Sequence, residues 1–268
     1  LEAAGCEIVR VAVPDAEAAA AVPKIRSQIR LPLVVDIHFD YRLALQCLAA
    51  GVDCLRINPG NIGPTWRVRE VTKAAAERKV PIRIGVNAGS LEKHLLQKHG
   101  EPTAAALVES ALFHVRILEE LGYPEVKISL KSSDPRMMIE AYRLLADQVA
   151  YPLHLGVTEA GTAASGTVKS AVGIGTLLAE GIGDTLRVSL TEDPTEEVRV
   201  GFEILKALGL RKRGLNIISC PSCGRVEIDL VGVTKEVERR LAALNIQRPL
   251  TVAVMGCAVN GPGEARGA

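Results

Sequence analysis

Little in this sequence is aromatic, and little in it is unbalanced in charge. Phe, Tyr and Trp make up 3% of the 268 residues, with Trp66 the sole tryptophan, so the core must be aliphatic. Lys and Arg number 32 against 31 Asp and Glu, a net charge of +1. That leaves no global basic excess of the kind a nucleic-acid partner favours. Apolar runs such as Ala18 to Val22 are far too short to span a bilayer. No low-complexity tract is present, and no repeat beyond a strand–helix period. The 48% hydrophobic and 24% charged fractions are those of a folded globular chain. No G-x-G-x-x-G follows the first candidate strand; Gly173-Ile-Gly175 falls inside a helical pattern instead. No methionine opens the chain. Leu1 begins what reads as a helix end running into a strand, so a fragment is expected, with any targeting segment lost upstream.

What is present is a regular alternation. Runs rich in Val, Ile and Leu at 8–14, 33–39, 54–58, 82–87, 126–130, 153–158 and 185–190 read as strands buried on both faces. Amphipathic stretches at 15–29, 41–50, 65–78, 103–121, 135–149, 165–180 and 195–208 separate them, with Asp15, Thr103, Asp134 and Thr195 as N-cap candidates. Seven such units imply a parallel sheet with helical crossovers. A closed (β/α)8 barrel has eight strands in about 250 residues. The expected fold is therefore α/β: a TIM-type barrel over 1–210 that lacks its first unit, with an open doubly wound sheet as the rival. Beyond a basic linker, Arg211-Lys-Arg-Gly214, a smaller α/β module is expected over 215–268. Its strands read at 216–219, 226–231 and 250–255, and its helix at 234–244.

Barrels place their chemistry at the carboxyl ends of the strands. Those ends offer Arg10, then Asp36 and His38, Arg56 and Asn58, Arg83 and Asn87, Ser129 and Lys131, Glu159, and Arg187 and Ser189. Within each strand the paired residues are an even number apart and can share a face. Four arginines, a lysine and a histidine with few acids suit a multiply anionic ligand, because guanidinium forks match phosphate oxygens. Glu159, before the loop Gly161-Thr-Ala-Ala-Ser-Gly166, can donate a proton or can pair with Arg187 or Lys131. Asp36 and His38 can orient hydroxyls or relay a proton. His94, His99 and His114 lie on charged helical stretches and are expected to face solvent. His154 begins a strand at the end away from the mouth and is set aside. Charged helix faces such as 195–199 read as solvated.

The cysteines fall into two groups. Cys6, Cys47 and Cys54 sit in apolar surroundings and read as small buried hydrophobes. Cys220-Pro-Ser-Cys223 lies in a turn, and Cys257 and Glu264 follow it. A redox disulfide would use the first pair, but no thioredoxin-like unit surrounds it. Structural zinc normally takes four Cys or His ligands, and no fourth is near. An iron–sulfur cluster accepts three thiolates and leaves one iron for an oxygen ligand such as Glu264. The residues themselves leave open a non-redox barrel lyase or transferase on a phosphorylated substrate with structural zinc, or a folding or dimer-interaction unit without chemistry.

A resemblance narrows this. Asp36-Ile-His-Phe-Asp40, Arg56-Ile-Asn-Pro-Gly-Asn-Ile-Gly63, Arg83-Ile-Gly-Val-Asn-Ala-Gly-Ser90, Thr158-Glu-Ala160, Asp184-Thr-Leu-Arg-Val-Ser189, Cys220-Pro-Ser-Cys223 and Gly256-Cys-Ala-Val-Asn-Gly-Pro-Gly-Glu264 resemble bacterial 4-hydroxy-3-methylbut-2-enyl diphosphate synthases, of the non-mevalonate isoprenoid pathway. The resemblance implies a TIM barrel followed by a [4Fe–4S] module, in a cytoplasmic homodimer whose cluster module closes the partner's barrel mouth. It implies reductive ring opening of 2-C-methyl-D-erythritol 2,4-cyclodiphosphate, with two electrons from flavodoxin or ferredoxin and loss of water. It implies Cys220, Cys223, Cys257 and Glu264 as cluster ligands, and Arg10, Arg56, Arg83, Asn87, Lys131, Arg187 and Ser189 as diphosphate ligands. Asp36 and His38 then contact substrate, and Glu159 is the proton-transferring acid. The chain departs from the family at both ends: the first barrel unit and the end of the cluster module are absent.

Overall fold

Runs of Val, Ile and Leu without polar interruption form strands that are buried on both faces, and parallel sheets need such strands. The computed structural model describes the chain from Leu1 to Gly267, apart from Arg213, Asn245, Gln247 and Asn260 and the side chains of Pro59 and Glu264. Two units result, Leu1–Ile204 and Leu205–Ala268.

In the first unit β1 (Val9–Ala12), α1 (Ala16–Gln28), β2 (Leu33–Ile37), α2 (Tyr41–Ala49) and β3 (Cys54–Ile57) open the alternation. A short α3 (Pro59–Ile62) precedes α4 (Thr65–Arg78) and β4 (Ile82–Asn87); then come α5 (Lys93–His99), α6 (Ala104–Glu120) and β5 (Val126–Lys131). The unit continues with α7 (Pro135–Ala146), β6 (His154–Leu155), α8 (Ala163–Ala179), β7 (Thr185–Leu186) and α9 (Pro194–Ala207). Strands β1 to β5 form one parallel sheet in chain order, and β6 pairs with β7. A bridge between Ile128 and Leu153 carries the order from β5 to β6. All seven strands therefore point their carboxyl ends the same way, as a partial barrel requires.

Local chemistry fixes these elements. Asp15, Thr103 and Asp134 accept from Ala18 N at 2.8 Å, Ala106 N at 3.1 Å and Arg136 N at 2.9 Å, so they cap α1, α6 and α7. Thr195 is not a cap. Asp193 accepts from its amide at 2.9 Å, and Pro194 takes the first helical position, where its missing N–H costs nothing. Asp53 accepts from Leu33 N at 2.8 Å, and Asp184 accepts from Leu153 N at 2.7 Å; each pins the start of the strand beside its own. Tyr142, fully buried, accepts from Leu130 N at 2.9 Å and donates to the His154 carbonyl. A scarce aromatic thus staples the seam where the ladder thins to one bridge.

Two predicted strands are much shorter than their apolar runs. Beyond Leu155 the chain leaves the ladder, and Thr158 N donates to Ser132 O at 3.1 Å instead. A Cβ at Gly156 would lie 2.7 Å from Arg187 O, so the neighbouring chains pass too closely there for regular pleating.

His114 does not face solvent. Its ring is buried on α6, with Nε2 2.7 Å from Glu92 Oε1, and Ser110 donates to the same carboxylate at 2.9 Å. Glu92 precedes α5, so this cluster ties the β4–α5 loop to α6. His94 is exposed as expected, whereas His99 is partly covered and sits 2.9 Å from Glu109. Cys47 and Cys54 are buried, but Cys6 is only half-buried.

The second unit is a β-α-β unit: β8 (Leu215–Ser219), α10 (Leu230–Ala243) and β9 (Leu250–Val254), with β8 and β9 parallel. A short α11 (Gly261–Glu264) follows. The expected strand at 226–231 is absent. Asp229 accepts from Gly232 N at 3.0 Å and caps α10 at Leu230, so a helix start overrides the β-branched run. No helix among the described residues is long and apolar enough to cross a membrane.

Burial alone would raise the Glu92 carboxyl, but the His114 and Ser110 hydrogen bonds, its own backbone and the His114 charge outweigh it and hold it low. A group depressed on folding stabilises above its unfolded value near pH ~4.3, and that stability fades as pH falls through the folded value. Glu92→Gln should therefore lower the urea midpoint at neutral pH, by an amount equivalent to about 2 kcal/mol, and by less at acid pH. An unchanged midpoint at neutral pH would show that the cluster is idle.

Candidate active site at the strand ends

Register brings the singled-out side chains level. Asp36 lies between Ala12 and Arg56, and Arg56 lies beside Arg83. Asp36, 1% exposed, is the hub. Arg10 donates to one of its oxygens, Arg56 donates to the other at 2.7 Å, and His38 Nε2 stands 3.3 Å away. Burial tends to raise the Asp36 carboxyl, but Arg56, Arg10 and His38 together hold it below the usual carboxylate range. Arg56 also donates to the Gly85 carbonyl at 3.1 Å. With its amide oxygen towards Arg56, Asn87 accepts from the same guanidinium at 3.3 Å. Asn58 donates to Ser90 Oγ at 2.8 Å and joins the loops after β3 and β4. Buried Ser129 donates to the Ile84 carbonyl at 3.4 Å.

Asp36 is one carboxylate among many cations. Arg83, Lys131 and Arg187 form no ion pair among the described residues, although all three act on one another or on Arg10 and Arg56. Burial, then the Arg56 and Arg10 charges, push Arg83 down to about 10, and Arg83 Nε is buried without a partner. Lys131 is pushed well down by burial and by Arg187, Arg83, Arg10 and Arg56. Arg187 is lowered by burial and by Arg10. A cluster of buried and half-buried cations that outnumber their one carboxylate is costly unless an anion completes it.

Two glycines make the arrangement possible. A Cβ at Gly85 would lie 2.2 Å from Arg56 Nε, and one at Gly156 would lie 3.3 Å from Lys131 Nζ. Sequence reading passed over both, and it passed over His154. That ring is buried inside the unit with Nδ1 2.9 Å from Thr185 Oγ1, and burial plus Arg83, Lys131, Arg187 and Arg10 keep it neutral.

Glu159 stands in solvent with a left-handed backbone, φ 52. That conformation costs a non-glycine residue about 1 kcal/mol and recurs at functional turns. It forms no ion pair with Arg187 or Lys131 among the described residues. Ser189, half-buried, lies two residues beyond Arg187 on the same chain segment. A groove of about 410 Å³ on the outer helices, lined by Glu92, Phe113, Arg116 and Leu144 among others, shares no residue with the mouth.

In the second unit the cysteines gather at the carboxyl ends of β8 and β9. Ser219 pairs with Val254, so Cys220 follows the end of β8 directly and Cys257 lies three residues past the adjacent end of β9. The Gly256 amide donates to Cys220 Sγ at 3.2 Å, and the Arg225 amide and guanidinium donate to Cys223, pulling its thiol down. No cysteine is in a disulfide. Soft thiolates receiving N–H bonds suit an iron–sulfur cluster. Even so, no group of three or more His, Cys, Asp or Glu among the described residues is arranged to hold a metal. The Glu264 side chain lies outside the described residues.

Asp36→Asn should leave Arg10 and Arg56 uncompensated and lower the stability by about 3 kcal/mol. Inorganic pyrophosphate should restore part of that loss by binding the excess charge. Gly85→Ala should displace Arg56 and weaken pyrophosphate binding by about tenfold or more. Binding that survives Gly85→Ala unchanged would remove Arg56 from the anion site.

The geometry has counterparts among known proteins. Structures of dihydropteroate synthase from Stenotrophomonas maltophilia and Yersinia pestis superpose with TM-scores of 0.54 and 0.54 at 13% and 11% identity, covering 78% of this chain and 84% and 83% of theirs. At that identity they speak for the fold alone. The GcpE TIM-barrel domain model matches residues 1–202, and the GcpE protein C-terminal domain model matches 216–268. A Geobacter sulfurreducens protein named 4-hydroxy-3-methylbut-2-en-1-yl diphosphate synthase (flavodoxin) is 68% identical over 99% of this chain and 75% of its own length. Proteins of the same name from Symbiobacterium thermophilum and Geobacillus kaustophilus are 67% and 61% identical over 99% of this chain and 71% of theirs. With both domain models matched in order over nearly its whole length, the chain belongs to the GcpE family of enzymes.

Proposed function

We propose that this chain carries out the reductive ring opening of 2-C-methyl-D-erythritol 2,4-cyclodiphosphate to 4-hydroxy-3-methylbut-2-enyl diphosphate, with loss of water. The observation that carries this reading is the surplus of cations at the strand ends: Arg83 is buried, Lys131 and Arg187 are half-buried, and all three lack ion-pair partners among the described residues. A cyclic diphosphate supplies the missing negative charge, and guanidinium forks meet phosphoryl oxygens in pairs.

In this reading Arg10, Arg56, Arg83, Asn87, Lys131, Arg187 and Ser189 hold the diphosphate, and the same cations stabilise the phosphate oxygen released as the ring opens. Asp36 keeps Arg10 and Arg56 aimed inward, and His38 orients a substrate hydroxyl. Glu159, exposed at the end of its strand segment, delivers the proton that lets the departing hydroxyl leave as water. Cys220, Cys223 and Cys257, with Glu264, would hold a [4Fe–4S] cluster. That group supplies two electrons, one at a time, from flavodoxin or ferredoxin. The flavodoxin in the relatives' names supports that donor. The barrel is assigned to 1–210 and the cluster module to 215–268, in a cytoplasmic homodimer.

Anaerobically purified protein should contain about four iron and four sulfide per chain. Stoichiometric zinc without sulfide would reject the cluster and favour non-redox chemistry. Glu159→Gln should retain iron, sulfide and ligand binding but lose about 100-fold or more in turnover. Unchanged turnover would reject its role as the acid.

A further inference from the structure

We propose that an anion entering the strand-end mouth brings one proton with it from solvent, and that Lys131 holds that proton. The inference rests on the reading of the mouth as a diphosphate site.

The geometry isolates Lys131 among its neighbours. Around its ammonium stand Arg10 from β1, Arg56 from β3, Arg83 and Asn87 from β4, and Arg187 from the chain that follows β7. The missing Cβ of Gly156 leaves room for Nζ, and the buried His154 ring of β6 feels the charge of Lys131. The carboxylate in this layer, Asp36 on β2, is already occupied by Arg10, Arg56 and His38. Glu197 on α9 acts on Arg187 and accepts from Leu190 N at 2.8 Å; Glu159 is exposed and forms no ion pair among the described residues.

Five cations that share one carboxylate, Asp36, are relieved by shedding a proton or by attracting an anion. Guanidinium does not lose its proton in proteins, whereas a buried lysine does so readily. Lys131 is therefore the member of the cluster that can discharge. The downward push of burial and four guanidiniums on its ammonium agrees with this. His154 is pushed the same way but already carries a proton on one nitrogen as a neutral ring, with Nδ1 engaged by Thr185. When a dianion enters, it offsets most of the positive field at Nζ and favours the charged ammonium relative to the empty site. Between the low value of the empty site and the higher value of the filled one, binding must take up a proton.

The cyclic diphosphate is a suitable probe because each phosphoryl group carries a single strongly acidic proton. It stays dianionic at neutral pH, so any proton taken up belongs to the protein. Titration calorimetry at about pH 8, in buffers of differing ionisation enthalpy, reads the uptake as the slope of observed against buffer enthalpy. The expected slope in the unaltered protein is positive, a net proton uptake on binding. It should fall close to zero in Lys131→Arg, which stays charged, and persist in His154→Gln. If arginine does not fit beside Gly156, Lys131→Met should bind more weakly and also show no slope. Tight binding with no buffer dependence in the unaltered protein would overturn the proposal. An undiminished slope in Lys131→Arg would move the proton elsewhere and overturn the assignment. No binding in the unaltered protein would instead overturn the reading of the mouth itself.

Discussion

A single buried carboxylate holds the strand ends of this protein in order. Asp36 reaches three strands at once: its own, that of Arg10 and that of Arg56. Such a hub converts a layer of a barrel, normally filled with branched aliphatics, into a charged floor. The cost is large, because ions leave water and the positive groups outnumber the negative one. Folding can meet that cost only through the apolar sheet beneath, where β2 and β3 are buried at every position. The aliphatic sheet supplies the stability, and the charged layer spends some of it on function.

Space is as much part of the site as charge. Arg56 lies where a side chain on Gly85 would sit, and Lys131 reaches the gap left by Gly156. The same glycine ends the regular ladder of β6 and lets the chain turn towards the loop that carries Glu159 with its left-handed backbone. Strand termination, cation placement and the position of the proposed acid therefore share one cause at one residue.

Much of this was legible in the sequence. The alternation of apolar runs and amphipathic stretches gave the order of elements, since burial on both faces leaves a continuous apolar signature. The even spacing of Arg83 and Asn87 places both on one face of β4, whereas Arg187 and Ser189 lie beyond the two-residue β7, where strand alternation no longer holds. Other features were hidden for physical reasons. His114 lies on a charged helix, but its partner Glu92 is 22 residues away, and pairing at that separation leaves no local pattern. His154 looked misplaced at a strand start, yet strands tilted in a barrel bring a low residue beneath a high one. The run at 226–231 has strand composition, but one aspartate at its middle caps a helix. Gly85 and Gly156 carry no side chain, so only the packing around them reveals what they do.

The central claim is that the strand-end cations form an incomplete charge cluster that a multiply charged anion completes. Thermal melting at constant ionic strength in chloride, sulfate or pyrophosphate tests it directly. The melting temperature should rise with anion charge in the unaltered protein, through preferential binding to the folded state. The rise should vanish when Arg56 and Arg187 are both replaced by Met. Equal melting temperatures in all three anions would contradict the account.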